Sequence, residues 1–288
     1  MIPHQFDYHD PTALSEAVQL LERYGSDAKL MAGGQSLLPM MKFRLVSPKV
    51  IIDLWRVPDL AYIREENGVI AIGSMVTHYM LHSSKLIQTK LCILAETAQV
   101  VGDPLVRNLG TMGGSAAHAA PNADYPAVLV ALGAEMRIVG PKGTRNLAAK
   151  GFFKDMFTTA LEPSEVLTEI RIPIPPAHAA GTYLKLSRRG TDFALVSVAA
   201  VLERENGGRC AAARLVLGGV GPVPVEAKEA EELLKGKTLT PTLIQEVGEA
   251  AAKGLDPISD VQADAQYRID VSKVCVRRAL QVAWGRTA

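Results

Sequence analysis

The amino-acid sequence predicts an α+β fold in two parts that meet near residue 177. Three observations predict it. Apolar residues recur at helical spacing in some segments and form short strand-like runs in others. Tight-turn sequences such as Asn67-Gly68 separate pairs of strand-like runs, as hairpins require. The run Pro173-Ile174-Pro175-Pro176, followed by small residues through Gly181, blocks regular structure and marks a boundary.

In chain order, Asp10-Pro11-Thr12 opens a helix carrying Leu14, Ala17, Val18 and Leu21 on one face, ended by Gly25. Lys29 to Ala32 reads as a short buried strand that runs directly into a loop, Gly33-Gly34-Gln35-Ser36, before a turn or two of helix over Leu37 to Lys42. Val50 to Asp53 is a second apolar strand. Ala61 to Arg64 and Val69 to Ile72 form a hairpin, and helical segments follow around Met75 to His82 and Leu91 to Val100. Gly110 to Ser115 reads as a second glycine-rich loop, and Asp124 to Leu132 as helix. Glu135 to Val139 and Thr144 to Ala148 pair across Gly140-Pro141-Lys142-Gly143, and Val166 to Ile172 is a strand. Beyond the boundary lie strands at Thr182 to Ser187, Val196 to Leu202 and Ala212 to Leu217, with Asn206-Gly207-Gly208 turning between the last two. Two helices, near Val225 to Leu234 and Val271 to Trp284, complete the reading.

Composition removes several classes of function. A chain of 288 residues accommodates one large domain or two modest ones. A net charge of +1 lacks the basic bias of a nucleic-acid binder, and 5% aromatic residues is too few for base-stacking platforms. No apolar run reaches the roughly 18 residues that a membrane span needs. The opening Met1-Ile2-Pro3-His4-Gln5-Phe6-Asp7 lacks the pattern of a secretory leader, so a cytoplasmic protein is expected. Cys92, Cys210 and Cys275 are odd in number and far apart, which argues against a disulfide framework or a Cys-x-x-Cys metal site. Among the six histidines there is no His-x-x-x-His pair with a nearby carboxylate, so no metal is expected. Redox chemistry in this chain would therefore need an organic cofactor.

The two glycine-rich segments suggest where. Paired glycines let backbone approach a ligand closely and reach positive φ at little steric cost. Successive N–H groups in such a turn can form an anion nest, and Ser36, Thr111 and Ser115 can add hydroxyl donors. A pyrophosphate suits this set, and two loops about 80 residues apart could clamp a dinucleotide from two sides. Neither segment matches Gly-x-Gly-x-x-Gly or Gly-x-x-x-x-Gly-Lys-Ser/Thr, which disfavours a Rossmann NAD domain and a P-loop NTPase.

Ala32-Gly33-Gly34-Gln35-Ser36-Leu37-Leu38-Pro39-Met40-Met41-Lys42 closely resembles the first FAD loop of the medium subunit of carbon monoxide dehydrogenase-type enzymes. The flavin domain of xanthine dehydrogenase belongs to the same family. Thr111-Met112-Gly113-Gly114-Ser115, with Asn122-Ala123-Asp124-Tyr125-Pro126-Ala127 after it, resembles the second loop. The likeness extends over nearly the whole chain. It implies a two-lobed FAD-binding domain of the vanillyl-alcohol-oxidase/cresol-methylhydroxylase type over residues 1–177, with lobes of roughly 1–55 and 56–177. A small α+β C-terminal domain would occupy residues 178–288.

By this resemblance Ala32, Gly33, Gly34, Gln35, Ser36, Thr111, Gly113, Gly114 and Ser115 would hold the pyrophosphate and ribose of an extended FAD. Asp124 would accept a hydrogen bond from a ribose or adenine donor, or act as a helix N-cap. Leu167 and Lys185 sit where the family places contacts from later strands, and Phe193 where relatives carry an aromatic beside the isoalloxazine. A valine at Gly33 or Gly113 would then place Cβ against phosphate. Gln35 stands where close relatives often have His, and Ser115 where Asn is frequent. Both keep hydrogen-bonding atoms, so FAD binding is unaffected, but both weaken a reading of carbon monoxide as substrate. His118 could line the site or be an ordinary loop histidine.

The implied activity is electron transfer with no catalytic acid, base or nucleophile in this chain. A large partner subunit would carry the molybdopterin cofactor and a small one two [2Fe–2S] clusters, in a dimer of heterotrimers. Electrons would pass through FAD to an external acceptor: quinone, cytochrome, NAD or oxygen. Membrane association would arise only through the complex. The alternative is a stand-alone FAD-dependent oxidase of the vanillyl-alcohol type. It needs a longer substrate domain rich in tyrosine, arginine or histidine, and the region after residue 180 is short, with two tyrosines and no histidine. A binding module that has lost its flavin is a third reading, at odds with two intact glycine pairs.

Overall fold

The computed structural model describes residues 2–287; Met1 and Ala288 lie outside the described residues. A small three-stranded parallel sheet comes first: β1 (Asp7–His9), α1 (Leu14–Tyr24), β2 (Ala28–Met31), α2 (Leu37–Lys42) and β3 (Val50–Asp53), in strand order β1-β3-β2. Ala17, Val18 and Leu21 bury the inner face of α1 against Val50, Ile52 and Ala28. Gly25 caps α1 at φ +52, a conformation that glycine adopts without penalty.

The second unit is an antiparallel sheet with helices on one face. Its elements are β4 (Ile63–Glu66), β5 (Val69–Gly73), α3 (His78–Ser83), α4 (Lys85–Lys90), α5 (Cys92–Gln99), α6 (Pro104–Leu109), α7 (Met112–His118) and α8 (Asp124–Ala131). They continue with β6 (Glu135–Gly140), β7 (Gly143–Ala148), α9 (Ala149–Phe152), the short pair β8 (Phe153–Asp155) and β9 (Thr158–Thr159), and β10 (Val166–Pro173). The sheet order is β4-β5-β10-β6-β7, so the last strand inserts between the two hairpins. Ile70, Ile72, Met136, Ile138, Ile170 and Ile172 point to the helices, as period-two alternation requires. On the opposite face Glu169 is buried under Arg171, Arg137 and Arg64 and takes the Tyr62 hydroxyl.

The third unit is a four-stranded antiparallel sheet, β11 (Ala179–Leu186), β12 (Val196–Arg204), β13 (Cys210–Gly218) and β14 (Val225–Glu226). Helices α10 (Lys228–Leu234), α11 (Pro241–Ala251) and α12 (Ala265–Gly285) follow. Strand β12 is buried on both sides. Val196, Val198, Ala200 and Leu202 face these three helices, whereas Ala199 packs into the core of the second unit with Tyr183 and Val216. The second and third units thus share a packed surface, and α8 lies against β12 and β13.

Helices α4, α6, α9 and α11 are absent from the sequence expectation, and α10 and α12 begin at other residues than expected. Asp103 caps α6 by accepting from the Val106 N–H, and Thr240 caps α11 by accepting from the Leu243 N–H; each precedes a proline at the first helical position. The helix expected from Val225 begins only at Lys228, because Val225–Glu226 extend as β14 beside β13.

Candidate cofactor site

The first glycine segment is the expected loop, joining β2 to α2. Gly34 has φ +69, and the Leu38 N–H donates to its carbonyl. The Gln35 side chain folds back to donate to the Gly33 carbonyl at 3.1 Å. The N–H groups of Gly33, Gly34, Gln35 and Ser36 donate to no acceptor among the described residues, and Gly33, Gln35 and Ser36 are only half-buried. Four consecutive free donors on a fixed turn fit an oxyanion of the pyrophosphate kind.

The second glycine segment corrects the expectation of a loop. Thr111 is the N-cap of α7, and Gly113, Gly114 and Ser115 form its first turn. Its amides are already engaged. The Met112 N–H donates to Val76 O, Gly113 N–H to Ser74 O, Gly114 N–H to the Thr111 hydroxyl, and Ser115 N–H to Thr111 O. This segment therefore forms no anion nest. It offers the half-buried edge of Gly114 and Ser115 and the Ser115 hydroxyl.

The glycines themselves serve a different purpose from the one expected. A Cβ on Gly33 would stand 1.9 Å from the Leu109 carbonyl oxygen, and one on Gly113 would stand 2.4 Å from the Ser74 Cβ. A Cβ on Gly114 would meet the Thr111 hydroxyl at 2.8 Å and the Ala32 Cβ at 3.2 Å. Gly33 and Gly113 thus abut protein backbone or side chain, and Gly33 and Gly114 bring the two segments into contact with each other. That is how two segments far apart in sequence come to border one site.

Beneath the second segment lies His78, which sequence reasoning passed over because the His78–His82 pair has no carboxylate beside it. Its backbone N–H donates to Gly110 O, and its Nδ1 is 2.9 Å from the Tyr125 hydroxyl. A Cβ on Gly110 would meet His78 Nε2 at 2.7 Å. Burial pushes the His78 imidazole down to about 4, with the Arg107 charge adding to the effect. The neutral form is thus preferred in the fold. This contributes stability that is present above the unfolded value of 6.5 and is lost as pH falls through 4. At 1.36 kcal/mol per unit the contribution is about 3 kcal/mol. His78→Gln, which can still bond Tyr125 but does not titrate, is expected to flatten the melting temperature against pH between 6.5 and 4. Thermal melts across that range compare the two chains; parallel curves would contradict this role.

Asp124 and Lys185 come together. Asp124 is the first residue of α8 rather than its N-cap, which is Ala123. Its carboxylate accepts from the Tyr183 hydroxyl at 2.7 Å and from Lys185 Nζ at 3.2 Å, and Lys185 also donates to Val100 O. Both charged side chains are 5% exposed. Burial pushes the Asp124 carboxyl up, against the attraction of Lys185 and the bonds from Tyr183 and Lys185. Tyr183, also missed from the sequence, is the third member of this set.

Leu167 is a core residue of β10, paired with Ile138 just before a bulge, so only its backbone is available to a ligand. Phe193 is 51% exposed on the loop between β11 and β12. That loop is held at its base: Ala194 N–H donates to Asn122 O, and the buried Arg268 of α12 donates to Leu195 O at 2.5 Å. Gly219 N–H donates to Pro121 O beside it. The segment between α7 and α8 therefore leads from the glycine pair to the base of Phe193. Arg188 and Arg189 are exposed, as a solvated pair would be.

A loop of free amides with a glycine-edged helix beside it can receive an oxyanion such as a pyrophosphate, and an exposed aromatic lies further along. Comparison with known proteins identifies the family. The family described as FAD binding domain in molybdopterin dehydrogenase matches residues 4–175, and the CO dehydrogenase flavoprotein C-terminal domain matches residues 181–283. The carbon monoxide dehydrogenase medium chain of Hydrogenophaga pseudoflava is 42% identical, with 100% of each chain covered. The 6-hydroxypseudooxynicotine dehydrogenase complex subunit alpha of Paenarthrobacter nicotinovorans is 37% identical over 99% of this chain and 97% of that one. The solved structure of the Hydrogenophaga pseudoflava carbon monoxide dehydrogenase lacking the Mo-pyranopterin moiety superposes with a TM-score of 0.98 at 43% identity, covering 100% of both chains. The chain belongs to the FAD-binding medium subunits of the molybdenum hydroxylases, the carbon monoxide dehydrogenase and xanthine dehydrogenase family. It is an oxidoreductase subunit whose fold is an FAD-binding domain followed by the C-terminal domain of that family.

Proposed function

We propose that this chain takes electrons from the [2Fe–2S] clusters of a small partner subunit and passes them, through FAD, to an external acceptor. The molybdopterin cofactor and the substrate chemistry lie on a large subunit in this reading, and the assembly is a dimer of heterotrimers. The observation that carries it is the row of unengaged N–H groups at Gly33, Gly34, Gln35 and Ser36, set against the edge of α7. These four amides and the Ser115 hydroxyl would hold the pyrophosphate and ribose. The carbonyl of Leu167 and the Asp124–Lys185 pair would add contacts from later elements, and Phe193 would stack at the isoalloxazine. Bound FAD supplies a ring system that exchanges electrons singly or in pairs. The protein's share is to fix its orientation and exclude competing contacts. Residues 1–177 are taken as the FAD-binding domain and 178–288 as the C-terminal domain.

The substrate is not set by this subunit. Relatives of similar identity carry names that point to carbon monoxide in one case and a pyridine alkaloid derivative in the other. Among the described residues no helix is long and apolar enough to cross a membrane. The test is a comparison of FAD-loaded and FAD-depleted complex. Depletion is expected to leave substrate-driven bleaching of the iron–sulfur bands intact and to abolish reduction of an added quinone or dye. Undiminished acceptor reduction without FAD would contradict the proposed route.

A further inference from the structure

Helix α7 presents one continuous half-buried edge. Thr111, Met112, Gly113 and Ala116 are buried, whereas Gly114, Ser115, Ala117 and His118 are half-buried. Gly114 and His118 are four residues apart, so they share a face and are separated by about 6 Å along the axis. A ligand held at Gly114 and extending along this edge reaches His118 next. Beyond it, Asn122 O holds the base of Phe193.

The backbone around His118 holds two left-handed residues. Ala119, the residue after it, has φ +50 as the buried left-handed cap that ends α7, whereas Phe157, in the β8–β9 turn, has φ +54 with no such role. The Phe157 N–H donates to Ala119 O at 2.9 Å, which locks the two left-handed residues together. A bulky residue at positive φ is an outlier that glycine or asparagine would avoid. Burial does not explain it, since Phe157 is 57% exposed and adjoins Met156, which is 42% exposed. What the phenyl ring does touch is His118, at 5.1 Å between ring centroids and 50° between planes. Strain of this kind, kept at an exposed position, points to a function for the group it holds.

We propose that His118 is a direct hydrogen-bonding contact of the flavin ring system, and that Phe157 is a positioning residue that fixes its imidazole toward the α7 edge. The inference rests on the functional reading above. Burial lowers the His118 pKa from its usual value, so at pH 7 the ring is neutral and offers one N–H donor and one acceptor. A single such bond that differs in strength between oxidised and reduced flavin alters their ratio by about tenfold at a given potential.

The experiment is a spectroelectrochemical titration of the flavin in the purified complex, with FAD content and melting temperature recorded first. His118→Phe is expected to bind FAD, to melt near the wild type, and to shift the oxidised-to-reduced ratio by about tenfold; His118→Gln should restore most of it. Phe157→Gly should hold or raise the melting temperature, because glycine accepts positive φ, yet shift the flavin in the same direction as His118→Phe. The double variant should go no further than either single one. If wild-type complex holds no FAD, the functional reading itself fails and the contact with it. If FAD is bound and the His118 variants titrate like the wild type, the contact alone is overturned. A Phe157→Gly titration that coincides with the wild type would remove the positioning role.

Discussion

Gly33→Val is expected to empty the site of FAD. The added Cβ would lie 1.9 Å from Leu109 O and 2.7 Å from the Gly110 Cα, both backbone atoms that cannot step aside. Either the loop between β2 and α2 lifts away from α6 and α7, or the strain is borne by the fold. Overpacking of this kind costs about 3 kcal/mol. Set against the binding conformation alone, that lowers FAD affinity about a hundredfold. The cause is loss of contact between the two glycine segments, not a clash with phosphate, so the free amides are expected to remain but no longer face the α7 edge. Gly190→Val is the control, because nothing lies within 4 Å of a Cβ there. Flavin-to-protein ratio by absorbance, with a thermal melt to establish folding, decides the matter. A folded Gly33→Val chain with full FAD occupancy would show that the contact is dispensable.

Lys185→Met is expected to be the most destabilising single change near the site. It leaves the Asp124 carboxylate buried with only the Tyr183 hydroxyl as partner. Removing one member of a buried pair costs about 3–5 kcal/mol, because the remaining charge loses its counterpart without regaining water. For a chain of this size that lowers the melting temperature by roughly 10 °C. Asp124→Asn should cost a similar amount by stranding the ammonium, which retains only Val100 O. The double variant Asp124→Asn with Lys185→Met should recover most of the loss, giving a large favourable coupling. The same series separates structure from ligand binding. If the pair also touches the cofactor, the double variant regains stability yet binds FAD weakly. Wild-type FAD affinity in a restored fold would assign the pair to structure alone.

Much of this architecture was legible in the residues. The limits of α2 and β3, the Asn67-Gly68 hairpin and the pairing of β6 with β7 follow from local pattern and turn chemistry. The helices α6 and α11 carried their own start signals, Asp103-Pro104 and Thr240-Pro241, and only the six-residue body of α6 is too short to show a helical period. The second glycine pair misled for a different reason. Gly-Gly favours a turn on propensity, but Ser74, Val76 and Thr111 supply acceptors for its amides and hold it as helix. Two of those four acceptors come from a segment more than thirty residues earlier, which no local rule can see. The partners of Asp124 are equally remote, arriving on β11 from the third unit. Local residue chemistry thus picked out the two glycine segments that the fold brings together, and long-range packing decided which of their atoms are free.

The central claim is that this chain holds FAD within an iron–sulfur- and molybdenum-containing complex. The most direct measurement is the absorption spectrum of the chain purified from its native host together with whatever remains bound. The account predicts flavin bands superposed on broad iron–sulfur absorbance. An intact, folded complex without flavin bands would contradict it.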